Sequence, residues 1–177
     1  MLSMTTAFVF LFACRQRTDH SKEISRLDSA SEILTCTGKI LLSLDTNSLR
    51  NSYNASAGQL HSIREKLAKD TVKKKMAMFL SDAYEQSANI RNLLGNKKYL
   101  ERAVSEYMQR INDLKHDLSE DLIEKNKTAG YIVNEIDAAG KIFDAVNKSI
   151  EKAKTASTKL DSLKTEIIFL ADSIKSK

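Results

Sequence analysis

Three histidines, two cysteines and 23 acidic residues are the side chains with which this chain could do chemistry. Their spacing argues against most of it. His20, His61 and His116 lie far apart and form no i, i+4 pair, so the HExxH pattern of zinc peptidases is absent. No Cys/His cluster has zinc spacing. Neither a GxxxxGK[ST] nor a GxGxxG loop is present to cradle a phosphate, and no Gly-x-Ser-x-Gly elbow raises a nucleophile. Asp117, Glu120, Asp121 and Glu124 could gather around a divalent cation, but Leu118 and Leu122 are interleaved among them as on an amphipathic helix with an acidic solvated side. A di-iron bundle needs Glu-x-x-His on facing helices, and that pattern does not occur. The expectation is a non-enzymatic chain with no cofactor and no metal site.

Basic residues exceed acidic ones, giving a formal charge of +5. Lys73-Lys74-Lys75 and Lys97-Lys98-Tyr99 are the main clusters. Acids are interleaved almost everywhere else and no nucleic-acid motif is recognisable, so nucleic acid is not an expected partner. Lysines of this kind face water, an acidic protein or anionic headgroups. Cys36, in Ile33-Leu34-Thr35-Cys36-Thr37-Gly38, reads as a buried free thiol acting as a small hydrophobe.

The elements that position these groups are helices. With no Pro and only 5 Gly among 177 residues, the chain lacks the turn-formers of a sandwich or barrel. Apolar residues recur at three-four spacing in four stripes. Leu27, Ala30, Leu34, Thr37, Leu41 and Leu44 form the first; Leu60, Ile63, Leu67, Met76, Phe79 or Leu80, Ala83, Ile90 and Leu93 the second, with Val72 near its middle. Leu100, Val104, Tyr107, Ile111, Leu114, Leu118 and Leu122 form the third, and Ile132, Ile136, Ala139, Phe143, Val146, Ile150, Ala153, Ser157, Leu160, Ile167, Ala171 and Ile174 the fourth, which Lys164 interrupts. Acid-before-base pairs four residues apart, such as Asp137–Lys141 and Asp144–Lys148, mark the solvated faces.

Three breaks are expected: Asn51 to Gly58, Leu94-Gly95-Asn96-Lys97, and Lys125 to Gly130. They predict helices near 20–50, 59–94, 98–127 and 131–176. The expected fold is all-α: an antiparallel four-helix bundle, or a long helical hairpin or coiled coil with an extended C-terminal helix. Residues 98–176 as one continuous rod remain an alternative, because Gly130 alone need not stop a helix.

Residues 1–13 carry no charge, and Ala7 to Ala13 is an unbroken apolar run followed by Cys14 and then Arg15-Gln16-Arg17. Thirteen residues are too few to cross a hydrocarbon core ~30 Å thick as an ordinary helix. Leu11-Phe12-Ala13-Cys14 resembles the lipobox of bacterial lipoprotein signal peptides. That resemblance implies removal of residues 1–13, acylation of Cys14, a lipidated tether over 14–20, and a single helical domain over 21–177. It also implies a bacterial cell-envelope protein lipid-anchored to the outer membrane, with the membrane as one partner. In architecture the chain is similar in outline to the helical surface lipoproteins of spirochaetes, which implies a protein partner, host-derived at the cell surface. Turns far from the anchor are then the expected contacts: Tyr53 and Asn54 in the first, Lys125 and Lys127 in the third. One alternative is a periplasmic scaffolding coiled coil that self-associates into a homo-oligomer. Another is a metal-binding or enzymatic bundle.

Overall fold

The computed structural model describes residues 18–67 and 74–175, and among them every regular element is a helix. The order is α1 (Ser21–Leu42), α2 (Thr46–Leu67), α3 (Lys74–Ser119) and α4 (Lys125–Lys175). Cys14 and its apolar approach lie outside the described residues. The four helices form three legs. Both α1 and α2 pack on α3 and on α4, and they do not pack on each other, so together they make one leg beside an α3–α4 hairpin.

Side-chain contacts give the register. Against α3, His20 approaches Asp121 at 3.6 Å, Lys115 binds Asp28, and the Tyr84 hydroxyl donates to the Leu60 carbonyl at 2.5 Å. Each step forward in the first leg is a step back on α3, and the break between α1 and α2 causes no slip. Within the hairpin, Arg110 meets Glu135 near the turn, and Lys75 and Phe79 share a hollow with Leu170 and Glu166 at the other end. The legs therefore run antiparallel, parallel and antiparallel along a rod. With α3 at 46 residues, its length is about 70 Å at 1.5 Å per residue.

The core is a seam repeating every seven residues. On α3, Ala83, Ile90, Val104, Ile111 and Leu118 fall on one heptad position; on α4, Ile132, Ala139, Val146, Ala153, Leu160 and Ile167 do so, and all are buried. A period of 3.5 keeps that stripe facing its neighbours over the whole length when the helices supercoil gently to the left.

Two of the expected breaks are helix interior and one is displaced. Gly95 lies within α3, Gly58 within α2 and Gly130 within α4, and no glycine has positive φ. A glycine inside a helix costs ~1 kcal/mol, whereas each large apolar side chain buried on either side contributes ~1.5–3 kcal/mol. Ile90, Leu93 and Val104 stay in phase across Gly95, so the helix continues. The two breaks that fall among the described residues use acids. Asp45 accepts from the amides of Asn47 at 3.1 Å and Ser48 at 2.9 Å, which caps α2.

At the other break, Asp121 takes φ 54 just past α3. There the amide of Asp121 donates to the Leu118 carbonyl at 3.1 Å and that of Leu122 to the Asp117 carbonyl at 2.9 Å. This is a Schellman ending with aspartate where glycine is usual. The reversal thus falls at 120–124, ahead of the expected 125–130, and 98–176 is not one rod. Leu122, placed on the third stripe by spacing, sits in that turn and is exposed. Cys36 is also exposed, because it stands on the α1 face opposite Leu34 and Leu41.

Candidate protein-binding face

The α3–α4 hairpin has an inner side against α1 and α2 and an outer side against solvent. Side chains at the heptad positions flanking the seam form the outer rims, and these positions usually carry Lys and Glu. Here several do not. Met78 and Tyr99 on α3 and Tyr131 and Phe169 on α4 stand on that side, and Phe169, Tyr99 and Met78 are 74 %, 68 % and 65 % exposed.

Hollows follow the same groove from end to end. Beside the turn, one of about 480 Å³ is bounded by Arg110, Asp117, Leu122, Tyr131 and Glu135. In the middle, one of about 430 Å³ has Tyr99, Ala103, Tyr107, Ala138, Ile142 and Ala145 for walls and floor. Next comes one of about 340 Å³ with Asn89, Asn92, Asn96, Ser149 and Lys152. The last, about 300 Å³ and almost wholly apolar, is made by Met76, Phe79 and Leu170 between Lys75 and Glu166. Alanine at 103, 138 and 145 leaves room for another backbone, and tyrosine and arginine are the residue types enriched where proteins bind each other.

The turn end is the most strongly charged part. Arg110 donates to Glu135 at 2.5 Å and lies over the Tyr107 ring, 4.6 Å from its centroid. That hydrogen bond raises the Arg110 pKa, and the nearby carboxylate charge acts in the same direction. Glu135 is only 8 % exposed and occupies a seam position, while its second oxygen, Oε2, has no hydrogen-bond partner. Across the rod, by the α1–α2 break, a shallow polar hollow holds Asp45, Ser48, Asn51, Ser52, Asp161 and Lys164. In it Ser157 donates to Ser52 Oγ at 2.8 Å and Ser52 to Asp161 at 3.3 Å. No group of three or more His, Cys, Asp or Glu among the described residues could hold a metal ion, and no described helix is long and apolar enough to cross a membrane.

The contacts expected from turn positions fall elsewhere. Tyr53 is half-buried against the core in the middle of α2, with Asn54 exposed beside it. Lys125 and Lys127 open α4, where Lys127 pairs with Glu124 at 3.2 Å. The two groups are about 50 Å apart along the rod, so they do not form one surface. Nor does the Lys125 end lie far from residue 20: His20 and Asp121 put both at the same end. The face with Tyr99 was hidden because Gly95-Asn96-Lys97-Lys98-Tyr99 reads as a turn until the helix is known to continue. Its signal was available in the numbering, since Tyr99 precedes the seam residue Leu100 and Tyr131 precedes Ile132. In comparisons with known proteins, no family model, no curated protein and no solved structure matches this chain.

Proposed function

We propose that this chain is a non-enzymatic protein of the bacterial cell envelope, anchored to the outer membrane through an acylated Cys14, whose helical rod binds another protein along the α3–α4 face. The address rests on the likeness of Leu11-Phe12-Ala13-Cys14 to a lipobox. The single observation that carries the binding role is the collection of Met78, Tyr99, Tyr131 and Phe169 on one side of the hairpin. Large apolar side chains that share one face mark interaction surfaces more often than scattered ones do. A host-derived partner at the cell surface is what the likeness to spirochaete surface lipoproteins adds.

Position supports the same reading. Residue 20 lies at the turn end, so an anchor at Cys14 leaves the far end of the groove about 70 Å away. A rod of this kind would carry its contact face clear of the headgroups. Self-association as a scaffold is the second reading, favoured by the seven-residue repeat of α3 and α4, which runs unbroken on α4 and is interrupted on α3 by Lys97.

Metabolic palmitate labelling with protease shaving of intact cells tests the proposal. Label on the wild type and none on Cys14→Ser, with loss of the intact chain on shaving, is the expected result. Label that survives Cys14→Ser contradicts the anchor. Protection until lysis, with concentration-dependent association, favours the scaffold.

A further inference from the structure

We infer that the occupant of the middle of the α3–α4 face is an amphipathic helix with an acidic edge, supplied by a protein partner; this rests on the reading of that face as protein-binding. The groove there has a floor of Leu100, Ala103, Ile142 and Ala145, half-buried or open aliphatic side chains, two of them small. Such a floor lets a third helix approach at the 8–10 Å axial spacing of packed helices. The rims then set its chemistry, and they differ.

Along the α4 rim, Lys141, Lys148, Lys152 and Lys159 follow one another at spacings of seven and four, and Asp137, one turn before Lys141, is the acid that lines the groove beside them. Lys141 and Lys152 line the groove, and the other two repeat their positions a heptad later. All four are exposed, and among the described residues none has an ion-pair partner. Opposite this stretch, the α3 side of the groove is lined by Asn89, Asn92 and Asn96, uncharged groups that both donate and accept, with exposed Glu85 one heptad before Asn92. The lysine row spans about 27 Å, five turns of helix.

A helix that seats its apolar stripe on the floor meets cations on one flank and amides on the other. Carboxylates repeating at four and seven along the α4-facing edge match the first; uncharged polar residues along the α3-facing edge match the second. Flanking charges of this kind choose the partner and its orientation in helical assemblies. A second copy of the chain would bring its own lysine row to the same contact.

The test uses the full chain and designed helical peptides of about four heptads with an identical leucine seam. One peptide carries glutamate on one flank and glutamine on the other; its match replaces the glutamates with lysine. Fluorescence anisotropy at low salt is expected to show the glutamate peptide binding at least about tenfold more tightly, with the preference shrinking as salt rises. Lys148→Glu with Lys152→Glu should remove the preference. Ala103→Glu should block the groove at unchanged helicity, and Lys39→Glu on α1 should change nothing. Absence of binding by the glutamate peptide, or equal binding of the two, overturns the inference. So does a dimer in sedimentation velocity that Ala103→Glu converts to monomer. If Tyr99 crosslinks a protein partner in cells while the peptides fail, the acidic-edge inference falls and the binding face stands.

Discussion

Glu135 takes a seam position that the next repeat gives to Ile142, and it is held there by Arg110. The pair is asymmetric: the carboxylate is buried, while the Arg110 side chain is 55 % exposed. Removing the cation strands a buried charge, whereas replacing the acid restores an ordinary seam. Arg110→Ala should lower stability to urea by about 1–3 kcal/mol, and adding Glu135→Leu should recover most of the loss. If the double variant is no more stable than Arg110→Ala, the carboxylate is not the cause.

Tyr84 gives a pH dependence with a definite sign. Burial pushes its pKa above the ordinary value, more than the Arg64 charge pulls it down, and its hydroxyl donates to the Leu60 carbonyl. The folded chain therefore holds the proton more tightly than the unfolded one. That stabilisation is complete below the unfolded pKa of ~10 and is lost as pH rises through the folded value. Tyr84→Phe should cost about 0.5–1.5 kcal/mol at neutral pH and flatten the alkaline decline in thermal midpoint. An unchanged alkaline limb would mean other groups produce it.

At the scale of elements, the all-helical content and the seams were readable because three-four spacing reports a buried face directly. Leu27, Ala30, Leu34, Thr37 and Leu41 are buried as their spacing requires. Boundaries were not readable in the same way. Glycine advertises a possible ending, and in α3 the seam across Gly95 overrides it; Asp45 and Asp121 make endings that no glycine marks. A test follows at Gly95, where an added Cβ meets no atom within 4 Å. Gly95→Ala should stabilise the chain by ~0.5–1 kcal/mol and raise the thermal midpoint. A destabilisation would mean that residue 95 is a turn after all.

The first leg also divides unequally. Beneath α2 the contacts are small or polar, with Ser56, Ala83, Ser87, Ala153 and Ala156 buried together with Leu60 and Ile63. Small side chains bury less apolar area, so α2 should open before the hairpin does. Hydrogen exchange should show lower protection across α2 than across residues 100–118 of α3. Equal protection would indicate that the rod opens as one unit.

For the whole molecule, the consequence of a three-legged rod is polarity. An odd number of legs separates residue 20 from the end of α4, so the proposed anchor at Cys14 would define a near and a far end. The four expected helices, near 20–50, 59–94, 98–127 and 131–176, would have returned the chain to its start, because an ending at Gly95 splits α3 into two legs. The candidate face was legible only in part for the same reason. Rim positions have meaning once the seam they flank is fixed, and fixing it required knowing that Gly95 and Gly130 lie inside helices.

A protein partner seated on the α3–α4 face is the proposal on which the molecule's role turns. Photo-crosslinking in intact cells, with a benzophenone side chain placed at residue 99, 131 or 169 and at Ser29 on the outer face of α1, tests it most directly. One heterologous adduct of constant mass is expected from the hairpin positions and none from Ser29. Adducts from Ser29 alone, or none from any position while the chain is folded and membrane-associated, would contradict it.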